Sequence, residues 1–131
     1  MTAAATMMLP ADKDIIAPDG SEVRVLCATS AGSMAHFLLP VGQVSRAVRH
    51  RTVEEIWYVL SGDGEMWRSG SSPADIVRLS PGTCLTIPVG TVFQFRAFGA
   101  VPLAAVAVTM PPWPGEGEAE IVGGPWIPTA T

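Results

Sequence analysis

GQVSRAVRHRTVEEIWYVLSG, residues 42–62, is the stretch that decides the fold of this chain. It carries an isolated histidine, His50, followed by two acids, Glu54 and Glu55, and then by the apolar run 56–60, which ends at the turn Ser61-Gly62-Asp63-Gly64. Side chains alternate between the two faces of a β-strand, so neighbouring strands can direct a histidine and a carboxylate to the same face. The stretch therefore predicts a polar site inside an apolar cavity enclosed by β-strands.

Short runs of β-forming residues alternate with turns along residues 21–110. Turn signals such as Asp63-Gly64 and Ser80-Pro81-Gly82 separate the runs. No segment repeats apolar residues at helical spacing over three turns. We therefore predict an all-β fold with little helix, a sandwich or closed barrel of about nine strands. The predicted strands cover residues 22–27, 33–39, 44–50, 55–60, 65–68, 75–79, 83–87, 91–98 and 101–110.

The 131 residues fit one domain with two flanking segments. Residues 1–20 predict an N-terminal arm, which is either free or packed across a partner subunit. Residues 21–110 predict a single barrel. Residues 111–131 are too rich in proline and glycine for regular structure, but they contain Trp113 and Trp126. We expect this irregular tail to pack on the barrel or on a partner subunit.

The composition excludes several classes of partner. Hydrophobic residues make up 48% of the chain and charged residues 15%, which favours a ligand cavity, a subunit interface or both. The net charge of -4 argues against nucleic acid. No run approaches the ~20 apolar residues of a membrane helix, and we expect no signal peptide. Cys27 and Cys84 form no CxxC pair, so we predict buried free thiols in a reducing cytoplasm.

The opening stretch resembles the first motif of the cupin family. That motif reads Gly, five residues, His, one residue, His, three or four residues, Glu, six residues, Gly. In this chain Gly42, His50, Glu55 and Gly62 stand at matching positions.

The second cupin motif reads Gly, five residues, Pro, one residue, Gly, two residues, His, three residues, Asn. Gly82, Pro88 and Gly90 match it. The resemblance covers residues 21–110 and implies a cupin double-stranded β-helix, that is, a jelly-roll barrel. It also implies a homodimer.

The chain departs from the family at the metal ligands. Cupins of this type hold a divalent metal with three histidines and one glutamate, but this chain has Val48 and Phe93 at two histidine positions and Ala97 at the closing asparagine. Only His50 and Glu55 remain, whereas catalytic zinc sites use three protein ligands.

Three further side chains would complete a ligand set only if the fold directed them inward: Gln43, His36 and Cys84. We therefore predict no metal cofactor, with a weakly held divalent ion at His50 and Glu55 as the alternative.

His50 and Glu55 are the predicted catalytic pair, facing each other across adjacent strands. Glu55 would raise the basicity of His50 and fix its tautomer, so that His50 moves a proton on a bound ligand. An inert, stabilising hydrogen-bonded pair is the alternative. The residues predicted to contact the substrate are Val48, Trp57, Met66, Phe93, Phe95, Gln43 and His36. For the aromatic residues and Met66 a core position is the alternative, and for His36 a purely structural one.

Three functions remain open. The first is a small metal-independent cupin enzyme that performs acid–base chemistry on an apolar small molecule, as an isomerase, cyclase or lyase. The second is a non-catalytic cupin that binds a small molecule. The third is a metal-dependent oxygenase or isomerase with an incomplete ligand set. The fold alone does not choose among them, because one fold hosts many functions.

Overall fold

The chain folds into β-strands connected by turns. The computed structural model describes residues 3–70 and 75–130, so the predicted loop 69–73 lies partly outside the described residues. Within those ranges there is no helix, which confirms the all-β prediction. The strands are β1 (Ile15–Ile16), β2 (Glu22–Ala28), β3 (Ser33–Leu39), β4 (Ala47–His50), β5 (Glu54–Ser61), β6 (Asp63–Arg68), β7 (Asp75–Leu79), β8 (Cys84–Ile87), β9 (Val92–Phe98), β10 (Leu103–Met110) and β11 (Ala119–Val122).

Two antiparallel sheets face each other. One has the strand order β1-β2-β3-β10-β5-β8, and the other has the order β11-β4-β9-β6-β7. From β3 to β10 the chain crosses between the sheets at every step except the β6–β7 hairpin, which is jelly-roll connectivity. The predicted barrel is confirmed, and β1, β2 and β11 extend its two sheets.

Strand β5 shows the face alternation that the sequence analysis relied on. Glu55, Trp57 and Val59 are buried, whereas the side chains between them are exposed. The strand ends in the tight turn at Gly62, where φ is +82° and a Cβ would collide with the carbonyl oxygen of Pro102. Only glycine fits this turn without strain. Gly62 thus helps to set how β5 presents its inner face.

The space between the sheets holds the hydrophobic core. Its largest fully buried side chains include Trp57, Phe93 and Phe95. The Trp57 and Phe95 rings meet edge to face with centroids 5.0 Å apart, a favoured aromatic geometry. Each such side chain contributes about 1.5–3 kcal/mol through removal from water. Two members of this aromatic cluster, Trp57 and Phe93, also line the cavity described below.

Both terminal segments lie against the barrel. On the N-terminal side, the guanidinium of Arg24 donates hydrogen bonds to the carbonyl oxygens of Pro10 and Ala11, at 2.9 and 2.8 Å. On the C-terminal side, the buried amide of Gln94 donates to the carbonyl oxygen of Trp126 over 2.9 Å, and its oxygen accepts from the Trp126 backbone N–H over 3.1 Å. The terminal segments thus provide hydrogen-bond partners for polar side chains of the strands.

The tail differs from the irregular segment that the sequence predicted, because residues 119–122 form β11. This strand pairs with β4, whose edge would otherwise carry unpaired backbone groups. Across the pair, Arg49 and Arg51 both approach the carboxylate of Glu120, at 2.6 and 3.1 Å. Such exposed ion pairs contribute less than about 1 kcal/mol each, so the backbone ladder is the main attachment.

The prediction that the two cysteines are buried was wrong. Cys27 and Cys84 are free, but both are exposed. Cys84 pairs in register with Tyr58, which points outward from β5, so the thiol shares that outer face. The described residues include no helix that is long and apolar enough to cross a membrane.

Candidate functional site

A cavity of about 310 Å³ opens between the sheets at the end where β4 and β5 meet. Most of its wall is apolar, and it includes the rings of Phe37, Trp57, Phe93 and Trp113. The polar residues of the wall are Asp19, Ser33, His50, Glu55 and Thr109. The hydroxyls of Ser33 and Thr109 bond to each other over 2.6 Å. Asp19, His50 and Glu55 therefore supply the ionisable groups of this cavity, whose apolar wall with few polar groups is typical of ligand pockets.

The structure brings together five of the predicted site residues on the cavity wall: Val48, His50, Glu55, Trp57 and Phe93. Met66 and Phe95 pair in register on β6 and β9 and lie in the core, outside the set that lines the cavity. Strand alternation directs both side chains inward as expected, but they pack in the core and not on the cavity wall.

Gln43 and His36 lie elsewhere. The side-chain oxygen of Gln43 accepts a hydrogen bond from the hydroxyl of Thr129 over 3.2 Å, so this residue contacts the tail. His36 is on β3 between Ala35 and Phe37, and both neighbours line the cavity. The imidazole therefore occupies the opposite face of the sheet, next to Arg24 of β2. Burial and the charge of Arg24 lower the pKa of His36.

His50 and Glu55 meet across the cavity, with 3.5 Å between Nδ1 and Oε1. They come from opposite sheets, since β4 belongs to the five-stranded sheet and β5 to the six-stranded one. This corrects the expectation that they face each other across adjacent strands. The two strands are consecutive in the chain, but the jelly-roll crossover places them in different layers.

Aromatic rings hold both members of the pair. The indole N–H of Trp57 donates to Oε2 of Glu55 over 2.6 Å. The imidazole of His50 packs edge to face between Phe93 and Trp113, with centroids 5.3 and 5.0 Å away. Nδ1 of His50 has no well-aligned hydrogen-bond partner within the described ranges. A hydrogen bond therefore positions Glu55, whereas edge-to-face aromatic packing positions His50.

Burial governs the charge of both groups, because a low-dielectric site penalises the ionised form. It lowers the pKa of His50 to about 4, against the opposing charge of Glu118. It raises the pKa of Glu55 to about 7, while the Trp57 hydrogen bond opposes the rise and the charge of Asp19 adds to it. The sequence predicted that Glu55 would make His50 more basic; instead burial outweighs the charge of Glu118, and the pKa of His50 is lowered. Near neutral pH the imidazole is uncharged and Glu55 is the group that titrates.

Glu118 is outside the set of residues that line the cavity, but it binds the backbone of the segment that follows His50. Burial raises the pKa of its carboxyl, but hydrogen bonds from Thr52 and Val53 together outweigh that effect, so the net pKa is lowered. Its Oε2 accepts the backbone N–H of Thr52 over 2.7 Å and that of Val53 over 3.1 Å. Glu118 thus anchors the start of β11, whose first residue, Ala119, pairs with His50.

Sequence reasoning missed three important cavity residues. Asp19 belongs to the turn Pro18-Asp19-Gly20, where its residue type indicated only a turn. Phe37 is out of phase with His36, so placing the histidine inside excluded the phenylalanine. Trp113 lies in the segment predicted to be irregular, and only its burial-prone side chain signalled a role.

The residues present do not fit the metal that the cupin resemblance implies. Val48 and Phe93 offer no donor atom at the two histidine positions, and the Trp57 N–H already engages one oxygen of Glu55. In residues 3–70 and 75–130 no three His, Cys, Asp or Glu side chains are grouped so as to hold an ion. Transition-metal sites usually need at least three protein ligands.

Comparisons with known proteins agree on the family. A family model described as a cupin domain matches residues 35–109, more than half of the chain. The uncharacterized protein MJ1618 of Methanocaldococcus jannaschii is 30% identical over 109 residues, which cover 79% of this chain and 84% of that protein.

Two solved structures illustrate the shared fold. KdgF from Halomonas sp. superposes with a TM-score of 0.66 at 21% identity, covering 80% of this chain and 94% of its own. A variant of Streptomyces PAC13 solved with uridine superposes with a TM-score of 0.68 at 13% identity, covering 91% and 92%. At these identities the likeness shows the fold alone. Together with the family match, it establishes that this chain belongs to the cupin domain family.

Proposed function

We propose that the protein is a small cupin enzyme that moves protons on an apolar small molecule bound in the cavity. The observation that carries the proposal is the buried pair of His50 and Glu55, 3.5 Å apart in a largely apolar pocket. An isomerase, cyclase or lyase takes a proton from one atom of its substrate and returns one to another. Such a reaction needs no external oxidant or reductant.

The electrostatics of the pair support acid–base work near neutral pH. A general acid or base is most effective when its pKa lies close to the working pH. Glu55, with a pKa of about 7, meets this condition, and the neutral imidazole of His50 can accept or donate one proton beside it. We therefore assign the proton-transferring role to Glu55 and a partner role to His50. The arrangement resembles other sites in which burial tunes a carboxyl upward.

We propose a reaction that needs no metal, and the side chains of the site support this. Two donors from two sheets form an incomplete ligand set, and the neighbouring wall positions, Val48 and Phe93, are apolar. The reaction is therefore assigned to the chain's own ionisable groups.

Solvent deuterium exchange tests the proposal. Apolar ketones and lactones are incubated with the protein in D2O, and C–H exchange is followed by NMR. We expect the wild-type protein and the control Glu54→Gln, which alters the exposed neighbouring acid, to exchange at the same rate. His50→Ala and Glu55→Gln should lose about 100-fold or more of that rate. Folded His50→Ala and Glu55→Gln proteins with wild-type exchange rates would refute the proposal.

A binding protein without catalysis is the second candidate. It is favoured by the four aromatic rings of the wall, which can hold an apolar ligand with no chemistry at all. The deuterium experiment separates the two functions: wild-type protein that binds a ketone but catalyses no exchange is a carrier or sensor.

We further propose that the protein is a homodimer in a reducing cytoplasm. The outer face of β5 exposes Ile56, Tyr58 and Leu60, an apolar row that a second copy would cover. Two exposed free cysteines favour a compartment that keeps thiols reduced.

A further inference from the structure

The cavity wall contains two buried carboxyl groups, and its described residues include no basic side chain to balance them. Asp19 and Glu55 are 6% and 3% exposed, and both line its wall. Among the described residues of the wall there is no lysine or arginine. His50 does not supply a positive charge near neutral pH, since its pKa is lowered to about 4 by burial. Glu118, behind His50, adds a further carboxylate to this part of the barrel.

Among the described residues, Asp19 accepts its side-chain hydrogen bonds through one carboxylate oxygen. Its Oδ1 accepts the backbone N–H of Ser21 over 2.8 Å and the Ser21 hydroxyl over 2.6 Å. In the part of the chain that the structure describes, no side chain or backbone group bonds Oδ2. The segment that follows β1 thus places a fixed carboxyl group on the cavity wall, and the backbone carbonyl of Asp19 accepts the N–H of Arg46, next to β4, over 2.8 Å.

Glu55 is held in the same way, since Trp57 engages only Oε2. The rings of Phe37, Trp57, Phe93 and Trp113 complete the wall around the two carboxyl groups. Aromatic faces attract cations through their quadrupole, and tryptophan does so most strongly. The wall therefore combines the two features by which proteins recognise an organic ammonium group: carboxylates and aromatic rings.

We propose that the cavity binds a small organic cation, an ammonium group on an apolar body, and that Asp19 is the residue that holds its charge. The inference rests on the proposed function in that it names the substrate class of the same cavity. An anionic ligand would meet two carboxyl groups and no basic side chain, and so is disfavoured. The raised pKa of both acids is consistent with this reading, because burial leaves them without the positive partner that a ligand would provide.

Three probes of the same shape test the inference: choline, the neutral 3,3-dimethylbutan-1-ol and the anionic 3,3-dimethylbutanoate. Affinities are measured by NMR titration of the indole N–H signals, on wild-type protein and on Asp19→Asn, Glu55→Gln and the control Glu54→Gln. We expect choline to bind about tenfold more tightly than the alcohol, and the butanoate to bind most weakly. Asp19→Asn should remove most of the preference for choline over the alcohol, and Glu54→Gln should leave it unchanged.

The inference is overturned if the alcohol or the butanoate binds as tightly as choline, if none of the probes binds, or if folded Asp19→Asn keeps the full preference. Should Asp19→Asn fail to fold, the wild-type ranking decides on the cation site, and Glu55→Gln, which leaves Asp19 in place, should keep the preference for choline; its loss in that variant would overturn the assignment to Asp19. Failure of the proposed function is visible separately. Choline selectivity without deuterium exchange rejects the proton-transfer chemistry and keeps the cation site, whereas exchange without choline selectivity does the reverse.

Discussion

Trp57 donates its indole N–H to Glu55, two residues earlier on the same strand, over 2.6 Å. Because residues i and i+2 of a strand share a face, the aromatic side chain that packs the core also holds the carboxyl group of the site. The bond favours the ionised carboxylate and so opposes the effect of burial. The core and the candidate chemistry are thus coupled through one side chain.

Trp57→Phe removes this hydrogen bond while keeping an aromatic ring. We expect the pKa of Glu55 to rise further above about 7, because the bond that lowers it is gone. The measurement is a pH titration of the Glu55 side-chain carboxyl carbon by NMR. Trp113→Phe, which alters a ring of the cavity without touching that bond, is the control. An unchanged pKa in folded Trp57→Phe would contradict the assignment.

The stability of the protein should depend on pH in opposite ways through His50 and Glu55. Glu55 has a raised pKa when folded, so its contribution is fully present below pH 4.5 and is lost as the pH rises through about 7. His50 has a lowered pKa when folded, so its contribution is present above pH 6.5 and is lost as the pH falls through about 4. Between pH 4.5 and 6.5 one contribution falls with pH while the other rises, so that their effects on the pH dependence of stability nearly cancel.

Single substitutions expose each half of this balance. Relative to the wild-type profile, the free energy of unfolding of Glu55→Gln should rise by about 3 kcal/mol between pH 4.5 and 7, because the Glu55 contribution that falls over this range is gone. That of His50→Gln should fall by a similar amount between pH 4 and 6.5, because the His50 contribution that rises over this range is gone. Urea denaturation across this range, referenced to Glu54→Gln, gives the profiles. Two variants with parallel profiles would show that burial does not set these pKa values.

Replacement of two wall residues should create a metal site. Val48→His with Phe93→His restores the family's ligand positions beside His50 and Glu55, so we expect the double variant to bind one Zn²⁺ or Mn²⁺ per chain. Calorimetry measures the binding. Val48→His with Phe95→His is the matched control, because Phe95 lies in the core outside the cavity wall. Equal affinity in both double variants would mean that Phe93 does not mark the ion position.

The turn at Gly62 offers a test of backbone strain against crowding. Gly62→Ala adds a Cβ where φ is +82° and where the carbonyl of Pro102 leaves no room. Gly82→Ala adds one at φ +95° with nothing within 4 Å, so it carries the strain alone. We expect Gly82→Ala to cost about 1 kcal/mol and Gly62→Ala about 3 kcal/mol or more. Similar losses in urea denaturation would show that the β5–β6 turn relaxes freely.

The proposed dimer predicts a surface variant that dissociates. Tyr58→Lys places a charge in the exposed apolar row of β5, where a second copy would have to bury it. We expect sedimentation to show monomers for Tyr58→Lys and dimers for the wild type. Ile127→Lys, a comparable change on the exposed tail, should remain dimeric. A monomeric wild-type protein would remove the proposal.

Local patterns predicted the fold well because they are read from one strand at a time. The alternation of Glu55, Trp57 and Val59 follows directly from the sequence, and the motif spacing around His50 supplied the connectivity. Local patterns do not show how far an inward-facing side chain lies from the end of the barrel. Phe95 and Phe93 point the same way, yet only Phe93 reaches the cavity, because the distance to the barrel end depends on packing across both sheets.

The contributions of the flanking segments were the least predictable part of the site. Asp19 and Trp113 reach the cavity from outside the barrel sequence, through contacts between residues far apart in the chain. Trp113 is fixed by its backbone N–H, which donates to the Ser33 hydroxyl over 2.9 Å, 80 positions earlier. The charges of the buried pair were misjudged for a related reason: dehydration is a property of the assembled wall, which no single strand displays.

The imidazole of His50 and the carboxyl of Glu55 belong to different sheets of the barrel, so the gap between them depends on how the two sheets are positioned relative to each other. A substitution that lets one layer slide or tilt against the other lengthens that gap without altering either residue. Trimming a side chain at Leu79 or Met66, deep between the layers, would act in this way at a distance. Directed changes in interior volume therefore offer a means to adjust the distance on which the proposed proton transfer depends.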